Sequence, residues 1–400
     1  MLMNKITKFL SIPFILLLLY IIIIDFIPIS YAQIFEFEDK DYYESKEKKE
    51  ENPPTTTTNS KDKSAKPNSE DTDKDTCIDD NRMESAAILS SDSDKKSDSY
   101  YSDFHFVKKF DKKGNLVDSW GKVGTKDGQF LHAHGITIDS KDNVYVSDAE
   151  KCNIQKFDKD GDFIRKWGTK GIGPGEFLQP ESMAVDSKNN IYLAEYSRKN
   201  IQKFDNKGKF ITMWGEEGSK ESEFKKPWGI AVDSKDNVYV SDQVLPRVQK
   251  FDSDGTFIEM WGKNGEKKGQ FVHQHDITVD SNDYVYVTDG RQNSRGSVFD
   301  SNGNFIKHWG SEGKDEGQFI ENHGIVVDSK GNVYVVDTRN VRIQKFDSEG
   351  NFLTMWGSLG CKDDQFLIPH DIAMDSKGYI YVTDSGKSHF RANYDCNKNP

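Results

Sequence analysis

Four of the nine histidines, His134, His275, His323 and His370, stand at one recurring place in the chain, directly before a short apolar run. Glu181 and Trp228 fill the same place before two further runs. Imidazole and carboxylate are the side chains that ligate a divalent cation or carry a proton, so a repeated position of this kind builds a site if the chain brings the repeats to a common point. Six equivalent positions around an axis divide into two alternating triangles. Glu181, His275 and His370 form one, a His2Glu donor set of the type that holds catalytic zinc and leaves a coordination position open to water. His134, Trp228 and His323 form the other, where the indole offers no donor to a metal.

The elements that must position these residues are themselves periodic. Trp120, Trp167, Trp214, Trp261, Trp309 and Trp356 recur every 47 residues, once 48, and Asp139, Asp186, Asp233, Asp280, Asp328 and Asp375 keep the same step. One unit, from Gln129 to Gly175, contains four short runs rich in β-branched and aromatic residues, HGITID, NVYVSD, NIQKFD and DFIRKWG, each bounded by turn residues. Four strands per repeat of this length make a propeller blade, and six repeats predict an all-β, six-bladed β-propeller with four antiparallel strands per blade. The Asp-Ser-Lys-Asp-Asn segment at 139–143 and its five counterparts supply turn acceptors. Asp-x-x-Gly at 158–161, 205–208, 252–255, 300–303 and 347–350 places glycine where a second hairpin needs positive φ. Small apolar residues in the first strand suit the crowded axis, and Phe and Trp in the third and fourth suit the wider outer gaps. Residues 107–121, VKKFDKKGNLVDSWG, match the second half of a unit and precede the first complete one. Two stretches could therefore be the third strand of the last blade, Val107–Phe110 and Phe390–Tyr394, and closure by the N-terminal copy is the expectation.

Outside the repeats the texture changes. Lys5 and Lys8 precede a long apolar run that ends near Ser30, Tyr31 and Ala32, so residues 1–32 read as a signal peptide or a retained membrane anchor, interrupted by Asp25. Residues 33–103 are an acidic, low-complexity linker with the run Pro53-Pro54-Thr55-Thr56-Thr57-Thr58, too poor in apolar side chains to offset the entropy of ordering. Residues 104–400 form the propeller. A secreted protein, or one anchored at the outer face of the membrane, follows from this order. Cys77, Cys152, Cys361 and Cys396 permit disulfides there without defining their pairing. The net charge of −12, with basic and acidic residues interspersed, argues against a nucleic-acid partner.

The repeats resemble the NHL family. The pattern F-x-x-P-x-G-I-A-V-D-S-x-x-N-V-Y-V-x-D, followed by R-I-Q-K-F-D, stands almost intact at Phe224 to Phe251 and Phe319 to Phe346. That resemblance covers about 290 residues and implies the fold, while NHL-type propellers serve as binders of protein, RNA or small substrates. Pro369-His370-Asp371-Ile372-Ala373 and His275-Asp276-Ile277 resemble the zinc-histidine segments of peptidyl-α-hydroxyglycine α-amidating lyase. There the resemblance implies three histidines from alternate blades, and Glu181 departs from it. The catalytic tyrosine and arginine it implies have no matching motif. Asp276 and Asp371 would serve either as acceptors that orient the histidines or as turn residues.

Other candidates are structural. Asp158-Lys159-Asp160-Gly161-Asp162 lacks the glycine spacing and terminal Glu of an EF-hand. Asp148, Glu195, Asp242, Asp289, Asp337 and Asp384 end the second strand of every repeat, as a turn cap would. Arg247, Arg291 and Arg342 lie on loops near Trp228 and could join it in a ligand surface. Two functions fit. The first is an exported, monomeric binding scaffold for a protein, peptide or glycan at the channel mouth. The second is a metal-dependent lyase or hydrolase, of carbon–nitrogen or carbon–oxygen bonds, centred on Glu181, His275 and His370.

Overall fold

The computed structural model describes residues 106–360 and 362–385. The N-terminal segment, the linker, Cys77, Cys361, Cys396 and the alternative third strand Phe390–Tyr394 lie outside the described residues.

Six four-stranded antiparallel sheets follow one another as blades. Blade 1 runs from Ala133 to Trp167, blade 2 from Pro180 to Trp214, blade 3 from Pro227 to Trp261, blade 4 from Gln274 to Trp309 and blade 5 from Asn322 to Trp356. Blade 6 is composite: Pro369–Met374 and Ile380–Asp384 supply its inner strands, and Val107–Phe110 and Leu116–Trp120 its outer pair. Val107 pairs with Thr383 and Phe110 with Ile380, so the N-terminal copy closes the ring. Lys108 reinforces the closure from within, its Nζ lying 3.3 Å from Asp384 Oδ2 with both side chains buried.

Burial follows strand position. The second and third strands pack neighbours on both faces and are buried along their length, as in Ile191–Glu195 and Asn200–Phe204. The fourth strands alternate half-buried and exposed residues, as in Phe210–Trp214. Each outer Trp packs on the following blade, where the glycine of the Asp-x-x-Gly turn receives it. Gly255 has φ +90°, and a Cβ there would come within 2.5 Å of Trp214. This glycine is thus required both for backbone conformation and for space. Gly255→Ala is expected to destabilise the propeller by about 2 kcal/mol, read as a lower denaturant midpoint with unchanged slope. An unchanged midpoint would show that the Trp214 contact is slack.

The detail that matters most for function is a register shift in every innermost strand. In blade 3, Pro227 pairs with Asp242 and Ile230 with Val240, leaving one unmatched residue between them. The same irregularity recurs in the other five blades. A bulge of this kind re-aims the side chains beside it. It falls on His134, Glu181, Trp228, His275, His323 and His370.

Candidate functional site

Three kinds of contact set the ring residues in place. The acid ending the second strand accepts backbone N–H groups from the loop that leads into the innermost strand: Asp148 binds Leu131 N and His132 N, and Asp289 binds Val272 N and His273 N. Next, hydroxyls on four second strands hold the ring carbonyls of the following blade. Ser147 donates to Glu181 O, Ser241 to His275 O, Thr288 to His323 O and Thr383 to His134 O, at 2.6–2.8 Å. Glycine then lets the strands approach. A Cβ on Gly229 would lie 2.7 Å from Asp276 Cα and from His275 O.

Held this way, the ring residues pack against one another. Trp228 is 5% exposed, and its ring lies 5.4–6.1 Å, centroid to centroid, from those of His134, Tyr196, His275, His323 and His370. Partners contributed by blades 1, 2, 4, 5 and 6 place the indole on the axis. His134 Nδ1 is 2.5 Å from Glu181 Oε2, and Gln179 donates to Glu181 Oε1 at 2.8 Å. His323 Nδ1 lies 3.2 Å from His370 Nε2, and His275 Nδ1 lies 3.0 Å from Asn322 O.

Among the described residues, one group of three His, Cys, Asp or Glu side chains brings its ligand atoms within 4.8 Å of one another: His275, Glu321 and His323. His275 is thus brought together with Glu321 and His323 rather than with Glu181 and His370. The reason is steric and local. With the indole on the axis, ring side chains pair with their neighbours, so Glu181 goes to His134 and His370 to His323. Glu321 enters because it lies two residues before His323, at a left-handed bend (φ 57°) that leads into the innermost strand Asn322–Val327. His273 likewise lies two residues before His275, with ring centroids 4.7 Å apart.

The electrostatics suit ligation. Burial depresses the histidines, and neighbouring imidazoles add to it: His275 and His370 fall well below the usual value, and His134 to about 3. Burial pushes Glu321 up, but His323, Arg339 and His275 outweigh it and hold the carboxyl well below the ordinary range. A neutral His275 beside an ionised Glu321 is the combination a divalent cation needs. Glu181 behaves oppositely: burial raises it to about 8, and at neutral pH it is a protonated acid beside a neutral His134.

The remaining candidates have structural partners. Arg247 donates to the carbonyls of Ser219, Lys220 and Glu223, and Arg342 to Asp337 and the carbonyls of Lys314, Asp315 and Gln318. Both are loop clamps. Arg291 is different, with Nε 3.8 Å from Glu321 Oε1. Asp276 and Asp371 do not orient imidazoles. Asp276 accepts from Ile325 N and Asp371 from Ile136 N, so each ties its blade to another.

The 6-bladed beta-propeller family DUF5128 matches residues 125–213 and 272–397, more than half of the sequence. The chain belongs to this family. No curated protein matches the chain. Solved structures similar to it include a protein of unknown function from Bacteroides thetaiotaomicron, 16% identical over 69% of this chain and 76% of that one, with a TM-score of 0.51. A streptogramin B lyase is 15% identical over 70% and 97%, with a TM-score of 0.48. A gluconolactonase from Xanthomonas campestris is 14% identical over 64% and 87%, also with a TM-score of 0.48. At such identities the likeness concerns the fold alone, and function in this member of the 6-bladed beta-propeller family must be argued from its own residues.

Behind the ring, innermost strands of the six blades line a cavity of about 190 Å³ whose polar residues include Ser182, Asp276 and Asp371 among Ile, Val, Ala and Met. Burial raises both acids, Asp371 to about 7 and Asp276 well above its usual value, and the charge of Asp371 raises Asp276 further. In the unfolded chain both ionise near pH 4. As pH rises from about 4 to 7, the native pair holds protons that the unfolded state has lost, so stability falls over that window and levels off once the pair ionises. The expected loss is roughly 2–4 kcal/mol, and Asp371→Asn should flatten the slope of stability against pH. A slope unchanged in this variant would assign the effect elsewhere.

Proposed function

We propose that this propeller binds one divalent metal ion, zinc or a cation of similar preference, at its channel mouth through His275, Glu321 and His323, and acts outside the cell as a metal-dependent lyase or hydrolase. The observation carrying this reading is the 4.8 Å cluster of those three donors. Each histidine has its Nδ1 engaged, by Asn322 O or by His370, which leaves Nε2 to face the ion. His323 Nε2 is buried without a hydrogen-bond partner, the state of a ligand atom rather than of a structural imidazole. A cation there would act as a Lewis acid toward a carbonyl, hydroxyl or water oxygen. The protein's contribution is to hold the three donors and, through Trp228, to stop the substrate at the mouth. Export is supported by the N-terminal apolar run and by the disulfide that Cys152 forms.

A second reading is favoured by the same Trp228. An axis closed by an indole leaves a shallow mouth, which suits a monomeric scaffold that binds a protein, peptide or glycan without turning it over. Metal analysis of the purified full chain addresses the first reading directly. Near one equivalent of zinc or another divalent ion is expected, and protein that neither carries nor takes up an ion would leave the scaffold.

A further inference from the structure

Blade 4 departs from the length of the repeat, and the departure lies beside the metal set. Residues 149–152, 196–199, 243–246 and 338–341 join the second and third strands in blades 1, 2, 3 and 5, whereas blade 4 uses the longer loop 290–294 between Val285–Asp289 and Arg295–Phe299. The extra residue accounts for the step of 48 from Trp261 to Trp309. This loop opens with Gly290, where the other blades carry Ala149, Tyr196, Gln243, Thr338 and Ser385. Its backbone is left-handed at two residues that are not glycine, Arg291 (φ 50°) and Ser294 (φ 40°). Such conformations persist only where the surroundings impose them. Here Asn293 donates to the Asp289 carboxylate and to Gly265 O, Ser294 Oγ donates to Arg291 O, and Gly290 N donates to His273 O at 2.9 Å.

Blade 5 shows what a side chain does at the place of Gly290. Thr338 donates its hydroxyl to Pro369 O at 3.0 Å, and the ring residue His323 turns its Nδ1 to His370 instead. In blade 4 the corresponding carbonyl is Asn322 O, Gly290 brings no side chain to compete for it, and His275 Nδ1 lies 3.0 Å away. A carbonyl oxygen only accepts, so this nitrogen carries the proton and Nε2 keeps its lone pair. Space is as decisive as the bond, since a Cβ on Gly290 would lie 2.8 Å from His275 Cε1 and Nδ1. The imidazole has little freedom to yield. It is 1% exposed, with the rings of His323, His273 and Trp228 at 4.0, 4.7 and 5.5 Å, centroid to centroid.

We propose that Gly290, held by the lengthened loop of blade 4, is the positioning residue of the metal site: it gives His275 room to donate Nδ1–H to Asn322 O and so fixes the tautomer whose bare Nε2 joins Glu321 and His323. The purpose of this device rests on the metal reading, while the tautomer it assigns belongs to the chain without an ion. Any side chain at position 290 displaces the imidazole from that bond, so the set loses the orientation of one donor although all three donors remain.

Full-length Gly290→Ala and Gly290→Thr, the second matching blade 5, test this. Long-range proton–nitrogen NMR of metal-free protein is expected to show native His275 protonated at Nδ1 and both variants without that signature. Cobalt(II) titration, followed by visible absorption, is expected to give binding about 10–100-fold weaker in either variant, the range for losing the partner that orients a ligating histidine. A His275→Ala background separates the imidazole clash from general damage. Gly290→Ala should lower Tm by at least about 3 °C in the native background and by less than about 1 °C in the His275→Ala background. A native chain that binds no cobalt removes the metal reading and this inference with it. Cobalt bound equally by the native chain and both variants overturns the positioning role alone, as does a native His275 protonated at Nε2 or an equal loss of Tm in the two backgrounds.

Discussion

Glu321→Ala protein is expected to bind zinc more than about 100-fold more weakly than the native chain, because the substitution removes a proposed donor itself, and loss of outer partners alone typically costs 10–100-fold. The substitution removes the one ionised carboxylate of the group His275, Glu321 and His323. His275 and His323 remain, and Arg291 and Arg339 lose the carboxylate they share. His370→Ala supplies a graded control. Its Nε2 lies 3.2 Å from His323 Nδ1, and removing it should weaken the metal by about 10–100-fold without abolishing the site. Competition against a chromogenic chelator measures both. A Glu321→Ala protein with native affinity would mean that the ion sits elsewhere.

Trp228→Ala is expected to cost about 3–5 kcal/mol of stability, the range for truncating a large buried aromatic. The indole is almost wholly enclosed and is the shared neighbour of ring residues from blades 1, 4, 5 and 6 and of Tyr196. Its removal leaves five side chains facing a void on the axis, and water admitted there reaches groups whose ionisation depends on burial. Glu181, raised to about 8 by enclosure, should therefore return toward the ordinary carboxylate range in the variant. Denaturant unfolding followed by far-ultraviolet circular dichroism tests the first part. A loss below about 1 kcal/mol would show that the axis is closed by the backbone rather than by this side chain.

Sequence carried the architecture because a repeat makes its own alignment. Trp120 and its five equivalents, the Asp-x-x-Gly turns and the surplus half unit at Val107 to Gly121 define blade number and closure, and the structure pairs Val107–Phe110 with Ile380–Asp384 as that surplus requires. Six ring positions were legible by the same means. Their partners were not, since which side chains meet depends on the size of the one at the centre. An imidazole at position 228 would leave room for alternate blades to meet across the axis, whereas the indole fills it and turns each residue to its neighbour. Glu321 escaped notice because it precedes the innermost strand and looks like loop. Its signal was the spacing Glu-x-His, repeated as His-x-His at 132–134 and 273–275, in the bend that leads into each innermost strand. Asp276 and Asp371 show the converse limit. Adjacent to histidines in sequence, they point to the other side of the strand and bind backbone N–H groups of other blades. Arg247 and Arg342 open third strands, as Arg295 does in blade 4, and loop carbonyls absorb them, whereas Arg291 lies in the loop before its third strand.

The most direct measurement is anomalous diffraction at the zinc edge from crystals of the native chain grown with zinc. A single strong peak within about 2.0–2.2 Å of His275 Nε2, His323 Nε2 and a Glu321 oxygen is the predicted result. A peak bound by Glu181 or His370 instead, or a mouth without any peak at full zinc occupancy in solution, would contradict it.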